Sequence, residues 1–301
     1  MATAAAARAE LDRLRRQIAR LEGKPADSAR LAPLPDGARV ARRYREATVG
    51  GADEGDRLAF GVARLDAALG GGLVLGALHE VRTAESRDGG AACGFVMAAL
   101  AAFAAETGRP PAILWIAGAA GRREAGELYL PGIEALGLDP AWIVRVAVRR
   151  PADALWALEA GLACAGLSFT VCELGRSGLD LTASRRAALR ARASGATGLV
   201  LRIGAGPEPS AAETRLLLAP APSRPEGAFA GGLGRPAWRL EIEKSRGGKT
   251  GAFTVEWSSH ARGFSERGAE ADRRGAEPHP LPVAAAPSHR PAAAAGWKRA
   301  G

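Results

Sequence analysis

Five short apolar runs, "ALHEV", "AILWIAG", "WIVRVAV", "SFTVCEL" and "GLVLRIG", follow one another along the chain, separated by Ala- and Leu-rich stretches of helical length. Those stretches are "CGFVMAALAAFAAETG", "ADALWALEAGLACAG" and "LTASRRAALRARASG". Strands that are apolar at nearly every position, alternating with helices, are the pattern of a parallel sheet covered on both faces. After Arg235 the pattern changes, because "AWRLEIEKSRGG" and "AFTVEWSS" alternate apolar and polar residues around a Gly-Gly turn. That alternation predicts antiparallel strands at one edge of the sheet. The fold class is α/β.

With 301 residues, 47% of them hydrophobic, the chain can hold one large α/β domain with appendages or two small ones. Its net charge of +9 and pI near 10.4 come mostly from arginine. Such a balance fits an anionic partner, either nucleic acid or an acidic protein face, and equally a solubilising basic surface. Cys93, Cys164 and Cys172 are too few and too scattered for a disulfide framework or a zinc site, and read as small buried hydrophobes. Nothing in the sequence calls for a metal or a cofactor. Ala2 to Ala7 run straight into "RAELDRLRRQ", which is no signal peptide, and no apolar run approaches membrane-spanning length. A cytoplasmic protein without a membrane partner is expected.

Four segments are expected. Residues 1–24 hold one amphipathic helix, with Leu11, Leu14, Ile18 and Leu21 at alternating spacings of three and four, ended by Gly23 and Pro25. It either folds back on the main domain or docks a partner. Residues 25–57 form a linker with a basic cluster, "ARVARRYRE". Residues 58–258 are the folded core. Residues 259–301 have no periodicity and few large apolar residues, which predicts a disordered tail; Trp297 beside Lys298 and Arg299 is its one docking-like feature.

The segment "FGVARLDAALGGGLVLGALHEV", with Leu65, Asp66, Gly70 to Gly72 and Gly76, resembles the start of the core of RecA-like ATPases. Next comes "TAESRDGGAACGF", in which Glu85 and Ser86 match the phosphate loop of RecA. A working loop needs a first Gly for its turn, a second at the helix start, a Lys for the phosphates and a Ser or Thr hydroxyl for magnesium. Here Thr83 stands at the first glycine and Asp88 at the second, while Gly89 and Gly90 replace Lys and Thr. An aspartate aimed into the site repels phosphate, so the nucleotide site reads as dead. The strand "AILWIAGAAG" resembles the RecA strand that ends in the water-activating glutamate, but carries Ala117, Gly118 and Ala119 there, which leaves no carboxylate to orient water. At the Walker B-like strand the acidic residue is Glu173, fit either to sit near magnesium or to cap a structural hydrogen-bond network. "SRGGKTGAF" lacks the first glycine of a phosphate loop and reads as a hairpin turn, with Lys244 and Arg246 at the place of a RecA strand that contributes basic residues to a neighbour's ATP.

Across residues 58–258 the phrasing is most similar to the ImuA family of bacterial damage-inducible mutagenesis cassettes. The phrases that carry this are "ELYLPGIEALGLDPAWIVRV", "VCELGRSGLDLTASRRAALRARASGATGLVLR" and "GLGRPAWRLEIEKSRGG". The resemblance implies a RecA-like three-layer core with a degenerate phosphate loop, acting beside ImuB and an error-prone C-family polymerase in SOS-induced translesion synthesis. It leaves RecA, self-association and DNA open as further contacts. The expected role is a non-catalytic adaptor; the alternatives are a DNA-dependent ATPase or recombinase-like protein, and a division inhibitor similar to SulA. Candidate contacts to DNA or a partner are Arg202, Arg215, Arg224 and Arg235 in and beside the loop Gly204–Pro236, Lys244 and Arg246, and Arg185, Arg186 and Arg190 along roughly one side of a helix.

Overall fold

The computed structural model describes residues 56–119, 122, 126–176, 178–223 and 234–267. The expected N-terminal helix, the linker up to residue 55, Arg224 and the tail from residue 268, with Trp297, lie outside the described residues.

A short antiparallel ribbon of β1 (Arg57–Leu58) and β2 (Leu73–Val74) flanks helix α1 (Ala63–Ala68). Each of the five apolar runs is then a strand: β3 (Leu78–Arg82), β4 (Ile113–Gly118), β5 (Ile143–Val148), β6 (Phe169–Glu173) and β7 (Thr197–Arg202). Four more follow: β8 (Thr214–Pro220), β9 (Ala237–Ser245), β10 (Gly251–Ser258) and β11 (Gly263–Glu266). Among the described residues nine strands make one sheet in the order β11-β10-β9-β8-β3-β7-β6-β4-β5. Pairing is parallel from β8 through β5 and antiparallel from β8 outward to β11. The antiparallel edge predicted after Arg235 is therefore present, with the Gly-Gly turn between β9 and β10.

Helix α2 (Gly89–Thr107) lies on one face of the sheet and is apolar nearly all round, the composition of a helix enclosed by a core. By length and composition Ser86–Thr107 could cross a membrane, yet 67% of its most apolar stretch is buried inside the protein. Phe95 packs with Phe60, Trp238 and Phe264, fastening β9, β11 and the segment before α1 to this helix. On the opposite face lie α4 (Pro151–Leu162) and α5 (Leu181–Ser194), with a second, smaller apolar cluster beneath them. Asp180 caps α5 by accepting the Ala183 N–H at 2.6 Å, worth about 1 kcal/mol, and Gly195 ends it in the left-handed conformation. A short helix, α3 (Leu130–Ala135), completes the set.

Three expectations need correction. The segment Gly204–Pro236 is not one loop, because "TRLLLAP" forms β8 with Leu216 and Leu218 buried; flanking proline and alanine had disguised a strand. The expected tail begins too early, since β11 pairs with β10 and Arg267 is buried on Glu256 and the Pro222 carbonyl. Phe264 supplies the reason, through ring contacts with Trp257 at 4.9 Å and Phe60 at 5.6 Å. Finally, helices do not cover the sheet throughout: Val144, Arg145, Val146 and Ala147 of β5 are exposed on both faces.

The glycine run singled out before β3 has a packing role. A Cβ on Gly72 would lie 2.2 Å from the Leu58 carbonyl oxygen, and one on Gly70 2.6 Å from that of Gly247. The β9–β10 turn closes on the same spot, where the Lys249 N–H donates to Ala68 O at 2.7 Å. Two glycine-rich loops thus meet backbone to backbone, which residues with side chains could not do.

Candidate functional site

The polypeptide leaves β3 at Thr83, which is fully buried and stitched to the end of β7. Its N–H donates to Arg202 O at 3.0 Å, its hydroxyl donates to Glu85 O at 2.8 Å and accepts from the Gly204 N–H at 3.0 Å, and its carbonyl accepts from Ala205. A 3-10 turn at Ser86–Asp88 then leads into α2 at Gly89, and neither Glu85 nor Asp88 caps with its side chain. Glu85 and Gly90 are exposed, and Ser86 and Asp88 are half-buried. The space above the first turn of α2 is taken by β7: a Cβ on Gly89 would lie 3.1 Å from Ile203 Cγ2, and one on Gly204 3.2 Å from the Ser86 nitrogen. The segment read as a degenerate loop is a closed turn with its polar groups paired to the neighbouring strand.

Beside it, between α2 and α3, lies a cavity of about 250 Å³, lined by Cys93, Met97, Tyr129, Ile133 and Ile203 with Glu173 as its acidic member. Glu173 ends β6 and accepts the Trp115 Nε1–H at 2.6 Å. Burial pushes its pKa above the usual carboxylate range, against the opposing pull of that hydrogen bond and of Arg145 and Arg122. Burial likewise pushes the Cys93 thiol up, which leaves it without thiolate character. Gly118, at the place of the water-activating glutamate, has no room for any side chain: its Cβ would lie 2.5 Å from Glu173 O. Of the two roles read for Glu173, the observed contact is the structural hydrogen bond.

The arginines divide into buried and exposed sets. Arg202 is 1% exposed and donates to Glu208 at 3.1 Å. Arg215, also buried, donates to Glu80 at 3.1 Å, to Ser210 Oγ at 2.9 Å and to the Glu208 carbonyl. Both were expected to reach outward. They sit on strands rather than in a loop, and the segment 204–213 folds over them. Arg82 joins this layer through a two-pronged contact with Glu243 and a bond to Ala205 O at 3.1 Å. Glu243 is free to turn in because the β8–β9 register shifts beside Arg215, leaving it without a cross-strand partner. Lys244 Nζ donates to Ser210 O at 2.9 Å, and burial first, then Arg246 and Arg215, lowers its pKa.

Arg246 remains exposed and Arg235 is half-buried before β9. On α5, Arg186 and Arg190 both reach Glu159 of α4, while Arg185 is exposed apart from that pair. The predicted residues therefore form no single site. Sequence reasoning missed Glu80, Arg82 and Glu208. A strand read as buried that contains His79, Glu80 and Arg82 was itself the signal that internal charge partners had to exist.

No protein-family model matches the chain. It is similar to Protein ImuA of two strains of Caulobacter vibrioides, NA1000 / CB15N and ATCC 19089 / CB 15. In each case identity is 36% over 212 residues, covering 66% of this chain and 82% of the relative. Identity at that level over most of the relative's length makes this chain a member of the ImuA family.

Proposed function

We propose that the chain is a non-catalytic, RecA-like adaptor of a translesion synthesis complex, working in the cytoplasm with ImuB and an error-prone C-family polymerase during SOS-induced mutagenesis. The observation that carries the non-catalytic part is the closure above α2. Ile203 and Gly204 stand where a phosphate would meet the helix start, and no lysine lies in the turn from Thr83 to Gly90. Glu173, held by Trp115 with a raised pKa, and Gly118, which has no space for a carboxylate, support the same reading. The strand order, six parallel strands continued by an antiparallel edge, is compatible with a RecA-like core whose interfaces outlive its chemistry. The ATPase alternative requires Lys244 or Lys249 to reach a neighbour's nucleotide. Lys244 is engaged by Ser210 O, and Lys249 sits in the turn that closes on α1.

The test pairs two measurements on the full-length chain. Recovery of ImuB and the polymerase from DNA-damaged cells, with no heat or fluorescence change on ATP titration, is the expected outcome. ATP turnover stimulated by single-stranded DNA would replace the adaptor with an enzyme.

A further inference from the structure

Large apolar side chains are exposed at few places among the described residues, and most of those places share one side of the sheet. Val144 and Val146 of β5 are 55% and 37% exposed, Trp156 of α4 is 74% and Leu189 of α5 is 67%. The valines pair in register with Leu114 and Ile116 of β4, residues of the cluster under α4 and α5, so they belong to the face that these helices cover. Trp156 and Leu189 point the opposite way from Leu158 and Ala187, which face that cluster.

Strand β5 is also an edge. It pairs with β4 alone, and its outer backbone N–H and C=O groups have no ladder partner among the described residues. Six residues long, without Pro or Lys, it lacks the usual protection of an edge. The surroundings are basic: Arg149 and Arg150 follow β5, and Arg185, Arg186 and Arg190 line α5, against Asp153 and Glu159.

We infer that the β5 edge and the outer faces of α4 and α5 form a docking surface for an extended, acidic protein segment. The segment adds as a strand along β5, sets apolar side chains on Val144, Val146 and Trp156, and places carboxylates against the arginines. Charge decides the class of occupant. A second copy of this chain, or its own basic segment 8–24, meets the patch with like charge. Nucleic acid offers no strand to pair with β5 and nothing to bury valines or Leu189, and Glu159 and Asp153 stand among the arginines it would need. Trp beside Arg at an apolar centre is the composition of a protein hot spot. The inference deepens the adaptor reading and rests on it only in taking the partner to be a protein.

A fluorescein-labelled peptide of alternating Glu and Val, titrated with the full-length chain and followed by anisotropy, tests this without any cassette partner. Binding is expected, absent for the Lys-Val counterpart and weakening as salt is added. It is expected to fall about tenfold in Val144→Asp/Val146→Asp, and several-fold in Trp156→Ala and in Arg149→Glu/Arg150→Glu. Melting by circular dichroism checks that each variant is folded, and Trp156→Ala, confined to an exposed helix face, keeps the test decisive if the strand variant unfolds. Failure of the Glu-Val peptide to bind, equal binding of the Lys-Val peptide, or binding untouched by the substitutions overturns the surface. So does an oligothymidylate whose binding is lost in the same variants. A chain that recruits ImuB but ignores the peptide keeps the adaptor reading and loses this surface; one that binds the peptide here but recruits neither partner does the reverse.

Discussion

Strands β3 and β5 belong to the same parallel sheet, yet they meet their surroundings in opposite ways. In β3 every residue is buried, including His79, Glu80 and Arg82, and each of these three has a partner: Val74 O, Arg215 and Glu243. In β5 the middle four residues are exposed on both faces although three are apolar. The strand whose end would serve a nucleotide site is closed over by its own chain, and the strand at the rim is left for something else to cover. In a protein proposed to act through interfaces, that contrast puts the polar groups into holding the fold and the apolar ones at the surface.

The largest expected effect breaks the closed side. Arg215→Leu leaves the Glu80 carboxylate buried without its charge partner, and should lower unfolding free energy by about 3–5 kcal/mol in urea denaturation. The double variant Glu80→Gln/Arg215→Leu should recover much of this, because no charge is then stranded. Equal losses in the single and double variants would mean that packing around Arg215, rather than the ion pair, secures the segment 204–213.

His79 sharpens the same side through pH. Burial first, with a smaller contribution from Arg57, pushes its pKa down to about 4 from 6.5, and the hydrogen bond to Val74 O only partly opposes this. As pH falls below 6.5 the unfolded chain takes up a proton that the folded chain refuses until about 4. Stability tied to this group is therefore full above pH 6.5 and is lost on descent to pH 4, by about 3 kcal/mol in total. Glu173, with its raised pKa, works in the opposite sense on acidification, so the useful quantity is the difference between wild type and His79→Gln. That difference should shrink steadily from pH 6.5 to 4; a constant difference would show that His79 is not protonated differently in the two states.

Packing at the closed turn gives a smaller effect. Gly89→Ala drives a methyl into Ile203 and should cost about 1 kcal/mol, whereas in an Ile203→Ala background the same change should be neutral or stabilising, as expected near a helix start. The coupling energy of this cycle reads directly whether Ile203 occupies the space above α2. Additive effects would mean that the space is open.

The two regions were also unequally legible from sequence. The five core strands and three long helices follow from hydrophobic period alone, because a continuous apolar run between turn residues has few other uses. The missing lysine was equally plain. The closure was not, because its parts are distant in sequence: Arg82 finds Glu243 across 161 positions, and that carboxylate turns inward through a strand irregularity that no local pattern announces. Arg202 and Arg215 looked like mobile basic contacts for the same reason, since arginine in a strand without its acid in view reads as surface. Strand β5 erred the other way: "WIVRVAV" has the composition of a buried strand, and only the sheet order reveals that it stands at an edge.

The smallest effect tests the open side, and its smallness is the point. Trp156→Ala and Leu189→Ala remove large side chains that are mostly solvated in this chain, so each should change stability by no more than about 0.5 kcal/mol. Side chains of that size inside the core are worth several times more. If Trp156→Ala costs about 2 kcal/mol or more in the isolated full-length protein, the indole is already covered by some part of this same chain, and the contrast between β3 and β5 disappears. If the loss is negligible, a Trp standing free beside Val144 and Val146 has no use in the fold, and its use must lie in whatever docks there.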